Sequence, residues 1–132
     1  MTTATKPMSL AEVKLAAMQR AYNLGHADVA LMILSGKARV YRRTPTEKPG
    51  WQVSDYTDPY PKGTLIVVLA DCYATGSPEA WYVVPVADLL VILREQFEQS
   101  FPSGVRPRNP DSLHSAFKPE LVAKYRDAWK VG

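Results

Sequence analysis

The sequence contains few of the residues on which metal and nucleophilic sites usually depend. It has one cysteine, Cys72, and two histidines, His26 and His114, among 132 residues. A single cysteine cannot form an intrachain disulfide, and cysteine-rich metal sites are excluded. The two histidines lie in distant segments, so a histidine-rich metal site is not expected. Cys72 ends an apolar stretch, which predicts a buried thiol rather than a nucleophile.

Long apolar runs and the common catalytic signatures are also missing. No segment approaches the ~18 consecutive apolar residues that a membrane-spanning helix needs. There is no Gly-rich phosphate loop, no His-Glu-x-x-His pair and no Gly-x-Ser-x-Gly elbow. Residues 1–8 are polar and lack the apolar centre of a signal peptide, so we expect a flexible N-terminal lead. With the single cysteine, these features favour a cytoplasmic protein.

Charge is distributed unevenly along the chain. Residues 1–50 carry eight Lys or Arg and three Asp or Glu, a balance of +5. Residues 51–100 carry two and seven, a balance of −5, and residues 101–132 carry six and three, a balance of +3. Such asymmetry is found in proteins that bind polyanions, and it is also found on ordinary dipolar surfaces.

The apolar pattern predicts one α+β (α/β) domain over residues 9–132. Three segments have apolar residues at helical spacing, and five are short and either alternating or β-branched, as strands are. The predicted helices are 9–24, 86–97 and 119–129, and the predicted strands are 29–34, 38–43, 51–56, 64–70 and 80–84. Ser35-Gly36 is typical of a turn and predicts a β-hairpin from the first two strands. We therefore expect a single mixed or antiparallel sheet of about five strands, with an N-terminal helix and two C-terminal helices.

The most basic segment is one of the predicted strands. Along Lys37–Arg43 the alternation places Arg39, Tyr41 and Arg43 on one face and Arg42 on the other. Arginine bridges phosphate oxygens in pairs and tyrosine stacks on bases, so these four residues are candidate nucleic-acid ligands. The alternative is a solvated edge strand whose charges oppose aggregation.

A second basic group lies between the last two predicted helices. Residues 100–118 form a polar segment that contains Arg106, Arg108, His114 and Lys118. Loops of this length are often functional, so Arg106 and Arg108 join the candidate nucleic-acid ligands. The alternative is an ordinary surface loop.

Several carboxylates are candidates for a magnesium site. Glu12, Asp28, Asp55, Asp58 and Asp71 supply the oxygen ligands that Mg²⁺ prefers, and two carboxylates suffice for many sites. The alternative is that these side chains are simply solvated.

Five short motifs resemble those of a known group of proteins. They are Gly50–Ser54 (GWQVS), Leu65–Asp71 (LIVVLAD), Trp81–Pro85 (WYVVP), Asn109–His114 (NPDSLH) and Tyr125–Trp129 (YRDAW). Together they resemble small bacterial proteins related to the PD-(D/E)XK restriction-endonuclease-like fold, over about residues 25–132. The resemblance implies an α/β nuclease-like scaffold.

The resemblance also implies a metal site, which this sequence matches incompletely. Active members place an acidic residue on one strand and a Glu/Gln-x-Lys motif on the next, and the carboxylates hold Mg²⁺. Asp28 matches the first acidic place, and Glu12 would be a helix carboxylate. The next strand, Arg39–Arg42, supplies neither the Glu/Gln nor the Lys, so the catalytic motif is degenerate.

Three functions follow as hypotheses. The first is a nuclease-like domain without catalytic activity that binds nucleic acid and needs no cofactor. The second is a protein-interaction module, such as an inhibitor, an accessory subunit or a structural protein of a phage or mobile element. The third is an Mg²⁺-dependent nuclease in which Glu12 and Asp28 bind the metal and Arg42 replaces the lysine. Arginine is a poor replacement for such a lysine, which places the third hypothesis last.

Overall fold

The computed structural model describes residues 7–46, 49–54, 60–104 and 114–131. Within them the chain has both helices and strands, as the α+β expectation required. The elements in chain order are α1 (Leu10–Asn23), α2 (Ala27–Ser35), β1 (Ala38–Arg43), β2 (Trp51–Ser54), β3 (Ile66–Asp71), β4 (Ala80–Pro85), α3 (Val86–Ser100), β5 (His114–Phe117) and a 3₁₀ helix (Pro119–Tyr125).

Helix α1 begins where the sequence predicts, at a capping box. The Ser9 hydroxyl accepts a hydrogen bond from the Glu12 amide at 3.2 Å, and the Glu12 carboxylate accepts one from the Ser9 amide at 3.1 Å. These bonds satisfy two amides that have no partner inside the helix. Val13, Ala17 and Ala21 form the buried stripe of α1.

The predicted strand at 29–34 is wrong, because these residues form helix α2. Val29 and Ile33 are buried four positions apart, whereas Leu31 and Leu34 are exposed. Apolar residues on both sides of the helix concealed the helical period, so the run had the continuous pattern of a strand. Gly36, predicted as a hairpin turn, instead ends the helix at φ 82°, a left-handed conformation that glycine adopts without strain.

The expected single sheet of five strands is also wrong, because the strands form two sheets. One sheet has the order β1-β3-β4, with β1 parallel to β3 and β3 antiparallel to β4. The other pairs β2 with β5, antiparallel. The predicted hairpin partner of β1 is a helix, so β1 reaches a parallel neighbour through a long crossover instead.

Strand β3 is the central strand of its sheet, as its β-branched sequence predicts. Its residues from Ile66 to Ala70 are all buried, since both faces of the sheet are covered. On one face, Val68 and Val83 pack with α1 and α2. On the other face, Val67 and Leu69 pack in a second apolar cluster with side chains of β2, β5, α3 and the 3₁₀ helix.

The C-terminal segment departs from the predicted helix at 119–129. The 3₁₀ helix ends at Tyr125, and Arg126 then forms an isolated antiparallel bridge with Tyr82 of β4. The Asp127 amide donates to the Trp81 carbonyl at 2.9 Å. Pairing with β4 ends the helix early and brings Trp129 onto Trp81, with ring centroids 5.9 Å apart. Trp129 is buried, so this end of the chain packs on the body of the domain.

Candidate functional site

Strand β1 lies at one edge of the three-stranded sheet. Among the described strands it pairs with β3 alone. Its alternation follows the sequence prediction: Ala38 and Val40 pack toward the helices, while Tyr41 packs toward the second apolar cluster. In a parallel pair, alternate residues direct their backbone groups to the partner strand. Lys37 and Arg43 accept hydrogen bonds from the β3 side, so the backbone groups of Ala38 and Val40 point toward the open edge.

A groove of about 690 Å³ runs along this edge. Its lining is contributed mainly by Ala38–Arg42 of β1, by α1 and by the segment that enters β2. We call this depression the β1 groove. The described residues that line it are Leu10, Lys14, Gly36, Ala38, Arg39, Val40, Tyr41, Arg42, Gly50 and Gln52. They include three cationic side chains and no Asp or Glu, and such a lining favours an anionic ligand.

Two of the three cations are well placed to reach a ligand. Lys14 and Arg39 are exposed and stand on different parts of the lining. The Arg39 guanidinium lies 6.0 Å from the centre of the Tyr41 ring, at the outer limit of a cation–π contact. Tyr41 is half-buried and meets Tyr60 edge to face, with ring centroids 6.4 Å apart. The Tyr41 ring is therefore held in place beside the exposed guanidinium.

Arg42 lies on the opposite side of the strand from Arg39, as the sequence predicts. It is half-buried and reaches the same groove. Its charge also acts on Cys72, whose pKa is raised to about 11 by burial first and by the negative charge of Asp71 second. Arg42 opposes this rise. The buried Cys72 thiol is confirmed, and at neutral pH it carries no charge.

Arg43, the fourth candidate of the basic strand, is held by the fold itself. Its Nε and Nη2 donate to the two carboxylate oxygens of Asp71 at 2.9 and 3.0 Å. Its Nη1 donates to the Pro49 carbonyl at 2.6 Å. The guanidinium also lies 4.7 Å from the Tyr73 ring centre and 5.5 Å from that of Trp51. The side chain is 13% exposed, so it fixes β1 to β3 and to the 49–51 segment.

A second depression adjoins the β1 groove. Its volume is about 570 Å³, and we call it the β5 pocket. The described residues that line it are Pro49, Gly50, Gln52, Gln96, Ala116, Phe117, Lys118, Glu120 and Leu121. Gly50 and Gln52 belong to both linings, so the two depressions meet along the first half of β2.

Gly50 lies close to the backbone of β5 where the two depressions meet. A Cβ atom on Gly50 would lie 3.0 Å from the Phe117 carbonyl oxygen and 3.2 Å from the Phe117 nitrogen. The absence of a side chain thus lets the chain before β2 approach the backbone of β5 closely. The Gln96 amide donates to the Ala116 carbonyl at 3.2 Å, which ties β5 to α3 on the other side of the pocket.

Glu12 and Asp28, the two carboxylates assigned to the metal in the nuclease hypothesis, do not lie together in the structure. Glu12 lies in the first turn of α1 and Asp28 in the first turn of α2. The helices pack against each other and are joined by three residues, so their first turns lie at opposite ends of the pair, roughly 15 Å apart at 1.5 Å per residue. Within the described ranges, no three His, Cys, Asp or Glu residues group as metal ligands.

Other named candidates fall outside the part of the chain that the structure describes. Arg106, Arg108, Asp55 and Asp58 all lie outside the described ranges. The lining residues that the sequence did not identify as candidates include Lys14, Gly50 and Gln52. Lys14 sits on a helix far from the basic strand in sequence, and only the packing of α1 beside β1 places it with Arg39.

Comparison with known proteins adds no family to this description. A scan against models of protein families found no match, and a search of curated protein sequences found none either. The resemblance to PD-(D/E)XK proteins therefore stays a prediction. In the described ranges, no helix has the length and apolar character needed to cross a membrane.

Proposed function

We propose that this chain is a nucleic-acid-binding domain that acts without cleaving its ligand. The observation that supports the proposal most strongly is the lining of the β1 groove, whose described residues include Lys14, Arg39 and Arg42 and no Asp or Glu. Phosphate contacts from Lys and Arg supply most of the affinity in sequence-independent nucleic-acid binding.

The shape of the groove favours a single strand. It follows five consecutive residues of β1, a length of roughly 16 Å at ~3.3 Å per residue. That length accommodates a few nucleotides, and single-strand sites of OB folds are of the order of 4–16 nucleotides. Tyr41, with Arg39 against its ring, offers an aromatic surface beside the cations. Cations combined with an aromatic ring are typical of single-strand binding.

Binding without cleavage is supported by where the candidate catalytic groups lie. Glu12 already accepts the hydrogen bond of the capping box, and Asp28 lies at the other end of the helix pair. The position of the lysine in the nuclease motif would fall to Arg42, whose delocalised guanidinium suits phosphate binding better than activation of a water.

Charge reversal in the groove tests this proposal. The double variant Lys14→Glu/Arg39→Glu should weaken binding to fluorescent single-stranded DNA and RNA at least about tenfold at low salt, measured by anisotropy. For every phosphate that the variant no longer binds, the slope of log affinity against log salt should fall by about 0.7. The matched control is Lys62→Glu/Lys130→Glu, which changes the net charge equally at exposed sites outside the groove. If the two double variants lost affinity for single-stranded DNA and RNA equally, the proposal would be contradicted. It would also be contradicted if the parent chain did not bind these nucleic acids.

A protein partner is the second candidate, and one observation favours it. The backbone groups of Ala38 and Val40 face the open edge of β1, and an extended peptide can add to such an edge as a further strand. Strand addition would protect the amides of these two residues from hydrogen exchange in the complex. A nucleic acid held through side chains would leave them exchanging at the rate of the free protein.

A further inference from the structure

The β5 pocket differs in chemistry from the β1 groove that it adjoins. Its described lining has one cation, Lys118, and one acid, Glu120, whose charges balance. Most of the surface of the pocket is apolar, and Pro49, Phe117 and Leu121 belong to its lining. Phe117 is buried, whereas Leu121 is 37% exposed. A neutral, largely apolar depression does not attract phosphate, but it favours an uncharged, flat and partly apolar group.

Two glutamines supply polar groups at this pocket. Gln52 is exposed and lies on the boundary with the β1 groove, while Gln96 is half-buried and lines the opposite side. The Gln96 amide nitrogen donates to the Ala116 carbonyl of β5 at 3.2 Å, which holds the carboxamide beside that strand. A carboxamide offers a donor and an acceptor together, the combination with which proteins bind the edges of nucleobases.

We propose that the β5 pocket receives a base of the same strand whose phosphates lie in the β1 groove. This inference rests on the proposed nucleic-acid function. It makes the domain selective for single strands, because a base paired inside a duplex cannot turn away to enter a side pocket without unstacking. The strand crosses from one depression to the other over Gly50 and Gln52, the residues that both linings share.

A nucleic acid fits this arrangement because each nucleotide joins an anionic phosphate to an uncharged base. The cations are confined to one depression and the apolar surface to the next. Successive phosphates and bases of an unpaired strand present these same two kinds of group side by side. An acidic peptide with an apolar anchor is the competing occupant, and the experiment below separates the two.

The test compares an oligonucleotide with its abasic counterpart. A dT oligomer and an abasic oligomer of the same length carry the same phosphates, and only the first can fill the pocket. The parent chain should bind the dT oligomer at least about fivefold more tightly, since one accommodated base contributes that much or more. Leu121→Ser should lose most of this preference while keeping its affinity for the abasic oligomer.

The control variant is Leu65→Ser, at a leucine that is 50% exposed and lies outside both linings. It should keep the parent preference. Gln52→Ala is a second test variant, and it changes a polar side chain of the pocket rather than an apolar one. It too should reduce the preference for the dT oligomer over the abasic oligomer. Circular dichroism of each variant confirms that it is folded before binding is compared.

The outcomes distinguish this inference from the proposed function. Equal affinity of the parent chain for dT and abasic oligomers would overturn the base pocket but leave phosphate binding in place. A Leu121→Ser effect of the same size on both oligomers would overturn it as well. Failure of the parent chain to bind either oligomer would overturn the proposed function, and tight binding of an acidic peptide instead would assign the groove to a protein partner.

Discussion

Removing the Arg43 side chain should destabilise this fold more than removing any exposed arginine. Arg43 and Asp71 stand opposite each other in the parallel register of β1 and β3, 28 residues apart in sequence. Their side chains are 13% and 18% exposed, and they meet through two parallel hydrogen bonds. The third hydrogen bond of Arg43, to the Pro49 carbonyl, links the sheet to the segment that enters β2.

The magnitude follows from what the substitution leaves behind. Arg43→Ala removes three charge-assisted hydrogen bonds and two cation–π contacts, and it leaves Asp71 partly buried without its cation. Breaking one side of a buried pair costs about 3–5 kcal/mol, and an exposed pair is worth about 0–1 kcal/mol. Since this pair is largely but not fully buried, we expect Arg43→Ala to lower the free energy of unfolding by about 2–4 kcal/mol.

Urea denaturation, followed by tryptophan fluorescence, measures this free energy directly. Arg94→Ala is the matched control, because Arg94 and Glu98 form an ion pair whose side chains are 68% and 60% exposed. That control should cost about 0.5 kcal/mol or less, as single-helix pairs do. A double-mutant cycle with Asp71→Ala should give a coupling energy of at least about 1.5 kcal/mol. If Arg43→Ala cost no more than Arg94→Ala, the structural role assigned to this pair would be refuted.

Two further predictions concern the thiol and the first helix. Because the pKa of Cys72 is raised to about 11 in the folded state, the folded thiol stays protonated between about pH 9 and pH 11. In the unfolded chain the thiol has its ordinary pKa near 9, so it is deprotonated in that range. The resulting stability is complete below about pH 9 and falls by at most about 1.4 kcal/mol per pH unit toward pH 11. Cys72→Ala should flatten the fall in a pH series of denaturation curves, and an unchanged slope would contradict the assignment. Ser9→Ala removes the hydroxyl that caps α1, so it should destabilise the protein by about 1 kcal/mol in thermal or urea unfolding. Ser103→Ala, at an exposed turn position, should cost close to nothing, and equal costs for the two would argue against the capping box.

Local signals in the sequence were enough for several elements. The apolar spacing over residues 9–24 predicted α1 within one residue at each end. The β-branched run before Asp71 predicted a strand, and burial on both faces explains why that strand is apolar at nearly every position. The alternation of β1 also predicted that Tyr41 would pack on the opposite face from Val40.

Other elements depended on contacts that no local pattern records. Residues 29–34 are apolar throughout, so strand and helix fitted equally well, and packing of Val29 and Ile33 on α1 and the sheet selected the helix. The end of the 3₁₀ helix likewise depends on Arg126 and Asp127 pairing with β4. Propensity over a few residues is worth less than the tertiary contacts that override it.

The candidate site shows the same division. The concentration of positive charge on β1 could be read from the sequence, since Arg39, Arg42 and Arg43 are neighbours in the chain. Which of them can contact a ligand depends on the packing of distant segments. Because β1 pairs with β3, Arg43 forms an ion pair with Asp71. Because α1 packs beside the edge of the sheet, Lys14 joins the lining of the β1 groove. The physical reason is that charge is a property of each residue, whereas exposure and partnership depend on which distant segments the fold brings together.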